Sequence, residues 1–215
     1  LLLLAKLRKL VRRAEAGICK TLFNEALCNR LIKLCTLALG VGSVCTLFGA
    51  EARYAFGEFN AEMAALAKQY GAGYVVMHNP CGADIVQEYK DGVVSHIRNL
   101  FLDALSLAAE TGLCKEQLCF DVGLGFSKSY EDNLEILRNL EWLKFKGVPL
   151  LVAASRKRFI GIASGEENSA LRDPGTVAAH TAAIAAGADI IRVHDVAGAV
   201  QAAKVADVIF RKQGE

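Results

Sequence analysis

No two of the seven cysteines stand in C-x-x-C spacing, and no histidine lies near the first four, at positions 19, 28, 35 and 45. That argues against a zinc or redox centre built on cysteine. Excess charge of either sign is also lacking. A net charge of +2 is too small to argue for nucleic acid or an anionic membrane as partner, so any anion binding must be local. A secretory pattern is missing as well. The chain begins LLLLAKLRKLVRRAEAG without a methionine; its apolar run is too short for a signal core, and the basic residues follow that run instead of preceding it. Reduced thiols and a cytoplasmic location are therefore expected. Residues 31–50 are nearly apolar and as long as a membrane span. They nevertheless contain Lys33, Thr36, Ser43, Thr46 and three glycines, with no aromatic flanks, so a buried or irregular segment is expected and a membrane helix is not.

What is present is an ordinary globular composition, 53% apolar and 22% charged over 215 residues, enough for one sizeable core. From about Glu58 onward the pattern is regular. Helices are predicted over 60–70, 93–110, 131–144, 176–186 and 197–206, and strands over 74–78, 117–121, 148–154 and 190–194. Alternation of this kind means βαβ units with right-handed crossovers and a parallel sheet, with four units countable. The first 55 residues do not share this rhythm, apart from a possible amphipathic helix over 3–14. The composition shift over 51–56 divides a divergent segment, 1–55, from an α/β portion, 56–215.

Two strands carry the strongest functional signal. PLLVAASRKRFIG (149–161) and DIIRVHD (189–195) are apolar runs that break abruptly into charge. Apolar residues without alternation suit a strand buried on both faces, and polar groups at the carboxyl ends of such strands line ligand sites in α/β folds. Two such ends bearing cations suggest an anionic ligand. Strand alternation would put Ser155 and Lys157 on one side and Arg156 on the other. Lys157 then becomes a candidate ligand contact and Arg156 a candidate ion pair, although a solvated basic turn is also possible on sequence alone. Arg192 and His194 share a face by the same argument, and a strand arginine is rarely buried unless it is paired or binding something. Asp121 ends the strand LCFD and precedes Gly123, Gly125 and Phe126. It could take a planar donor edge such as that of a pterin or purine, or simply cap the next turn. His78 could face a ligand or be a core histidine; His96 and His180, in helices, read as structural.

In this order the segments VVMHNPCG (75–82), FDVGLGFSKSYEDN (120–133), LLVAASRKRFIG (150–161), RDPGT (172–176) and RVHDV (192–196) resemble the dihydropteroate synthases of the pterin-binding enzyme family. The resemblance covers about residues 58–210. It implies a (β/α)8 barrel of TIM type, here incomplete, with four clear carboxyl-terminal βα units. It also implies a transferase of folate biosynthesis that joins p-aminobenzoate to 7,8-dihydropterin pyrophosphate and releases pyrophosphate, with no nucleic-acid or membrane partner and a possible homodimer. Asp121 and Lys157 would bind the pterin ring, with Met77, Gly125 and Phe126 lining the pocket. Arg192 would stack on the pterin and, with His194, hold the leaving anion, while Ser155 would help place p-aminobenzoate. Lys157, Arg192 and His194 are the residues implied in catalysis.

The amino-terminal end departs from the family. The G-I-L-N-V-T-P-D-S-F strand, the E-S-T-R-P-G loop and the S-I-D-T strand are absent, and YAFGEFN (54–60) stands where N-D-I-S-G is expected. The family's magnesium is thus implied while its asparagine ligand is missing. Two rival readings follow: a catalytically inactive pterin-binding remnant, and a methyltetrahydrofolate-dependent methyltransferase, against which the SRK segment argues.

Overall fold

The computed structural model describes residues 61–70, 73–81 and 85–211. The divergent segment 1–55, the apolar stretch 31–50 and the helix expected over 3–14 lie outside them, as does the Asn60 cap. Within them the order is α1 (Ala61–Tyr70), β1 (Tyr74–Met77), α2 (Val93–Thr111), β2 (Leu118–Asp121), α3 (Tyr130–Arg138), β3 (Leu150–Val152), α4 (Arg158–Ser164), α5 (Asp173–Ala185), β4 (Ile190–Ile191) and α6 (Val196–Phe210). The four strands form one parallel sheet in the order β1-β2-β3-β4. This is the expected α/β architecture, with four consecutive βα units. No helix among the described residues is long and apolar enough to cross a membrane.

Pleating divides the core in two. Tyr74, Val76, Leu118, Phe120, Leu150 and Val152 point toward the helices and join the main cluster. Val75, Cys119, Leu151 and Ile190 point the other way and form a row across all four strands. Helix α2 covers the first face because Val93, Ile97, Phe101, Ala104 and Ala108 recur at helical spacing and are all buried. Phe101 stacks on Phe120, ring centroids 4.2 Å apart. Val94 and Leu105 sit at the partly buried margin of this stripe. Gly112 closes the helix in the left-handed conformation, φ 70°, and its N–H reaches the carbonyls of Ala108 and Ala109.

Several boundaries differ from the sequence reading; among them, α5 begins earlier, at Asp173, and α6 ends later, at Phe210. The helix expected over 131–144 stops at Arg138, because Asn139 leaves the helical conformation and a 3-10 turn follows over Leu140–Leu143. Its three-residue period sends both Leu140 and Leu143 into the core, each fully buried. β3 was expected over 148–154 and β4 over 190–194, yet the ladders are shorter. Past Val152 the backbone finds side-chain partners instead of another strand: Ala154 N–H donates to His180 Nε2 (3.1 Å) and His194 N–H to Ser155 Oγ (3.1 Å). Ser155, Lys157, Arg192 and His194 therefore lie on the connections beyond the strands, and the alternation argument for their orientation does not apply.

Candidate functional site

Because all four strands are parallel, their carboxyl ends meet at one edge of the sheet. Met77 and Asp121 are register partners there. They continue the face of Val75 and Cys119, so both belong to the side of the sheet away from the helices. Asp121 is 1% exposed, and its Oδ1 accepts the N–H of Gly123 at 2.8 Å. The turn-capping role and the site position thus coexist on one carboxylate.

The connection after β2 is built on left-handed residues. Gly123 has φ 63° and Gly125 φ 75°. A Cβ on Gly123 would stand 2.0 Å from the His78 carbonyl oxygen, so only glycine fits. Asn133 on α3 anchors the loop from behind, its Oδ1 accepting the Gly125 N–H at 2.7 Å. Ser129 and Asp132 start α3 as a reciprocal capping box.

Lys157 reaches across from the connection after β3. Its Nζ donates to the Leu124 carbonyl and lies 4.3 Å above the centroid of the Phe126 ring, a cation–π arrangement. Burial draws its pKa down to about 8; Arg192 lowers it further and Asp121 pulls the other way. Lys157 therefore senses both the Asp121 carboxylate and the Arg192 guanidinium across the carboxyl ends of neighbouring strands. Gly125 lies under the lysine stem, where an added Cβ would meet Lys157 Cδ at 2.9 Å.

The remaining pair is Ser155 and His194. Ser155 Oγ accepts the His194 backbone N–H and lies 2.8 Å from His194 Nδ1. With that N–H donated to it, the hydroxyl's own proton is free to donate to Nδ1. In the tautomer in which the hydroxyl donates to Nδ1, neutral His194 carries its proton on Nε2, on an exposed side chain. Asp195, next along, caps α6 by accepting the Gly198 N–H.

Arg156 faces away, as expected, though for a different reason. It takes a left-handed φ of 58° and forms a two-point ion pair with Asp173 at 2.8 and 2.6 Å. The pair holds the Asp173 carboxyl below, and the Arg156 guanidinium above, their ordinary ranges. Arg172 adds a bond to the Arg156 carbonyl at 3.2 Å. The connection after β3 is thus clamped from α5. Arg156→Lys keeps the charge but loses the planar fork, so amide exchange over 155–158 should become several-fold faster by hydrogen-exchange mass spectrometry. Unchanged exchange would remove this clamp from the account.

His78 is buried in the core. The ring is 1% exposed and lies between Lys128 Nζ and His96 Nδ1, each at 2.8 Å. The sequence reading did not single out Lys128, Asn133 or Arg172. The glycine-rich run immediately before Ser127 and Lys128 was the available signal for Lys128. Among the described residues no group of three or more His, Cys, Asp or Glu could hold a metal, and Cys81, Cys114 and Cys119 form no disulfide.

The family model described as pterin binding enzyme matches residues 53–194. A dihydropteroate synthase from Synechocystis is 41% identical over 156 residues, which is 71% of this chain and 54% of that protein. The Xanthomonas albilineans dihydropteroate synthase in complex with 7,8-dihydropteroate superposes with a TM-score of 0.65 at 34% identity, covering 74% of this chain and 58% of the other. The Thermus thermophilus enzyme in complex with 6HMPPP gives a TM-score of 0.63 at 38% identity, covering 70% and 58%. The chain spans about half the length of the curated relatives it matches, and its four βα units cover part of their TIM barrel. With the family model matching most of its length, and with these relatives, the chain belongs to the pterin binding enzymes.

Proposed function

We propose that this chain carries the pterin and leaving-group side of a dihydropteroate synthase, in which p-aminobenzoate displaces pyrophosphate from 7,8-dihydropterin pyrophosphate. The observation that carries the reading is the meeting of Asp121, Lys157 and Arg192 at the carboxyl ends of three adjacent parallel strands. Solved relatives support it: one is described with 4-aminobenzoic acid, one with 6HMPPP and one with 7,8-dihydropteroate.

In the reaction the bond from the pterin methylene carbon to the pyrophosphate oxygen breaks. A bond from the aniline nitrogen to that carbon forms, and the nitrogen loses a proton. Asp121 accepts hydrogen bonds from the pterin's N–H edge, and the Lys157 ammonium donates to its ring acceptors. Phe126, Gly125 and Met77 line the ring's slot. Arg192 stacks on the ring and places its charge beside the departing oxygen, where fixed cations count most as negative charge develops. His194 gives its Nε2–H to the same anion, and Ser155 holds that tautomer. While His194 is neutral, the Ser155 hydroxyl proton is engaged with it, so Ser155 can meet p-aminobenzoate only as an acceptor. Orientation of the aniline nitrogen supplies the remainder. Among the described residues no group of three or more His, Cys, Asp or Glu could hold a metal, and no step is routed through the magnesium that the resemblance implies. Homodimer assembly, which the resemblance implies, is tested by sedimentation of the purified chain.

Calorimetric titration of the chain with a dihydropterin pyrophosphate analogue tests the reading. One saturable site is expected. Lys157→Ala should weaken binding roughly a hundredfold, since a charged hydrogen bond and a cation–π contact are both lost. Folded chain with no binding would leave the inactive remnant as the correct reading, and unchanged affinity in the variant would remove Lys157 from the site.

A further inference from the structure

Beneath the glycine loop lies a second polar cluster that the proposed chemistry does not use. Lys128 is 7% exposed. Its Nζ meets three carbonyl oxygens, those of His78 (3.1 Å), Gly123 (2.9 Å) and Phe126 (2.9 Å), and also His78 Nδ1 at 2.8 Å. On the far side of the same imidazole, Nε2 is 2.8 Å from Nδ1 of His96. The His96 ring is exposed on α2. Tyr89 packs on both imidazoles, with centroid distances of 5.7 and 5.1 Å, and its hydroxyl donates to the Ser127 carbonyl at 2.8 Å. A continuous line of hydrogen-bonding groups thus runs from a buried amine to the surface.

Four neighbours around one lysine nitrogen fit two protonation states. An ammonium has three hydrogens for the three carbonyls, and His78 Nδ1 then shares as an acceptor. A neutral amine keeps two hydrogens, and its lone pair accepts from an Nδ1–H.

We propose that Lys128 is a positioning residue whose ammonium clamps the Gly123–Phe126 loop onto the end of β1, and that His78 and His96 are the path by which it exchanges its proton with solvent. Each step conserves protons and charge. One Nζ hydrogen passes to His78 Nδ1, the His78 Nε2 hydrogen passes to His96 Nδ1, and the His96 Nε2 hydrogen leaves to water. One positive charge reaches solvent, and both rings end neutral in the opposite tautomer. The clamp is left with two hydrogens for three carbonyls, so it loosens. The clamped loop carries the Leu124 carbonyl and the Phe126 ring that together seat Lys157, so its loosening displaces the proposed pterin slot. That last consequence rests on the pterin reading; the clamp and the relay do not.

The surroundings agree. Burial draws Lys128 down to about 7, with Asp121 and Asp132 favouring the charge and Lys157 opposing it. Burial first, then Lys128 and His96, holds His78 neutral, at about 2, so it transmits by changing tautomer and not by storing charge. Burial and Lys128 depress His96 too. Tyr89 is pushed upward by burial, with Asp132 and Cys81 adding to it, and stays protonated. Lys157 itself titrates nearby, so a pH profile of binding alone would not separate the two lysines.

Imidazole proton–nitrogen spectra of the full chain, taken from about pH 6 to about pH 9, do separate them. His78 is expected as the Nε2–H tautomer at the acidic end and as the Nδ1–H tautomer at the alkaline end. Lys128→Arg, which stays charged and keeps donors, should abolish that transition. His96→Leu should keep it while slowing solvent exchange. A His78 tautomer constant across the range, or a transition that survives Lys128→Arg, overturns the relay. Lys128→Met should weaken binding of the dihydropterin pyrophosphate analogue roughly tenfold near pH 6.5, with Lys128→Arg restoring part of it. If Met and Arg variants bind equally to the wild type, the clamp is wrong. Should wild type bind no analogue, the pterin reading fails while the tautomer spectra still decide the relay.

Discussion

Gly123→Ala is expected to collapse the loop after β2. The new methyl would stand 2.0 Å from the His78 carbonyl oxygen, and that carbonyl cannot retreat, because the same residue's N–H is tied to the Asp121 carbonyl at 3.0 Å. Adding left-handed strain of about 1–2 kcal/mol to overpacking of about 1–3 kcal/mol gives roughly 4 kcal/mol. Loss of the Lys128 bond network would add more. Against a total stability of about 5–15 kcal/mol, that should lower the melting temperature by on the order of 10 °C and eliminate the proposed pterin binding. Gly147→Ala is the control. It shares a positive φ, 84°, but nothing lies within 4 Å of the added Cβ, so only about 1 kcal/mol of strain remains. Equal melting temperatures for the two variants would show that the contact with His78 is not what fixes Gly123.

Mild acid should destabilise the fold well before ordinary carboxylates titrate. His78 is held neutral at about 2 and His180 at about 4, in each case chiefly by burial. Both drop from 6.5, so between the folded and unfolded values the unfolded chain binds more protons, and stability rises with pH across that window. Going downward, the loss begins near pH 6.5. By about pH 5 the two residues together cost on the order of 3 kcal/mol. The buried lysines act above neutrality with the same sign. Lys128 at about 7 and Lys157 at about 8 both lie below their ordinary 10.5, so stability keeps rising toward about pH 9. Urea midpoints followed from about pH 7 down to about pH 5 measure the acidic limb. His180→Gln, which retains an acceptor for Ala154 N–H, should flatten its slope by about half. A flat profile in the wild type would mean that neither histidine is held neutral by the fold.

The sequence made some of these features readable and hid others, for physical reasons. Helix α2 was legible almost to the residue because five of its side chains enter one core and Gly112 stops it. The ends of β3 and β4 were not. Ala153, Ala154 and Val193 keep the apolar pattern going, while the hydrogen bonds have already passed to His180 and Ser155. The site positions stood out because Asp121, Lys157 and Arg192 interrupt apolar runs. Arg156 was assigned its ion pair from an alternation that does not exist there; a left-handed backbone turns it toward Asp173. Lys128 was hidden in a polar stretch that reads as the start of a helix. Its acceptors include a carbonyl fifty residues away, and no local pattern encodes a contact of that range. His96 read as structural, but its partner His78, eighteen residues away, was hidden for the same reason.

Strand order equals chain order in this sheet, and this bears on how the polypeptide assembles during synthesis. Residue 74 pairs with 118, 120 with 150, and 151 with 190, so each new strand docks on the one made just before it, closing a loop of a few tens of residues. None of the four described strands has to wedge between two that are already joined, which keeps the entropic cost of each closure modest. Growth from the ribosome can therefore add one βα unit at a time, with α2 already lying over β1 when β2 emerges. The edge that bears the proposed site comes last, because His194 can be fixed only after both Ser155 and β4 are in place.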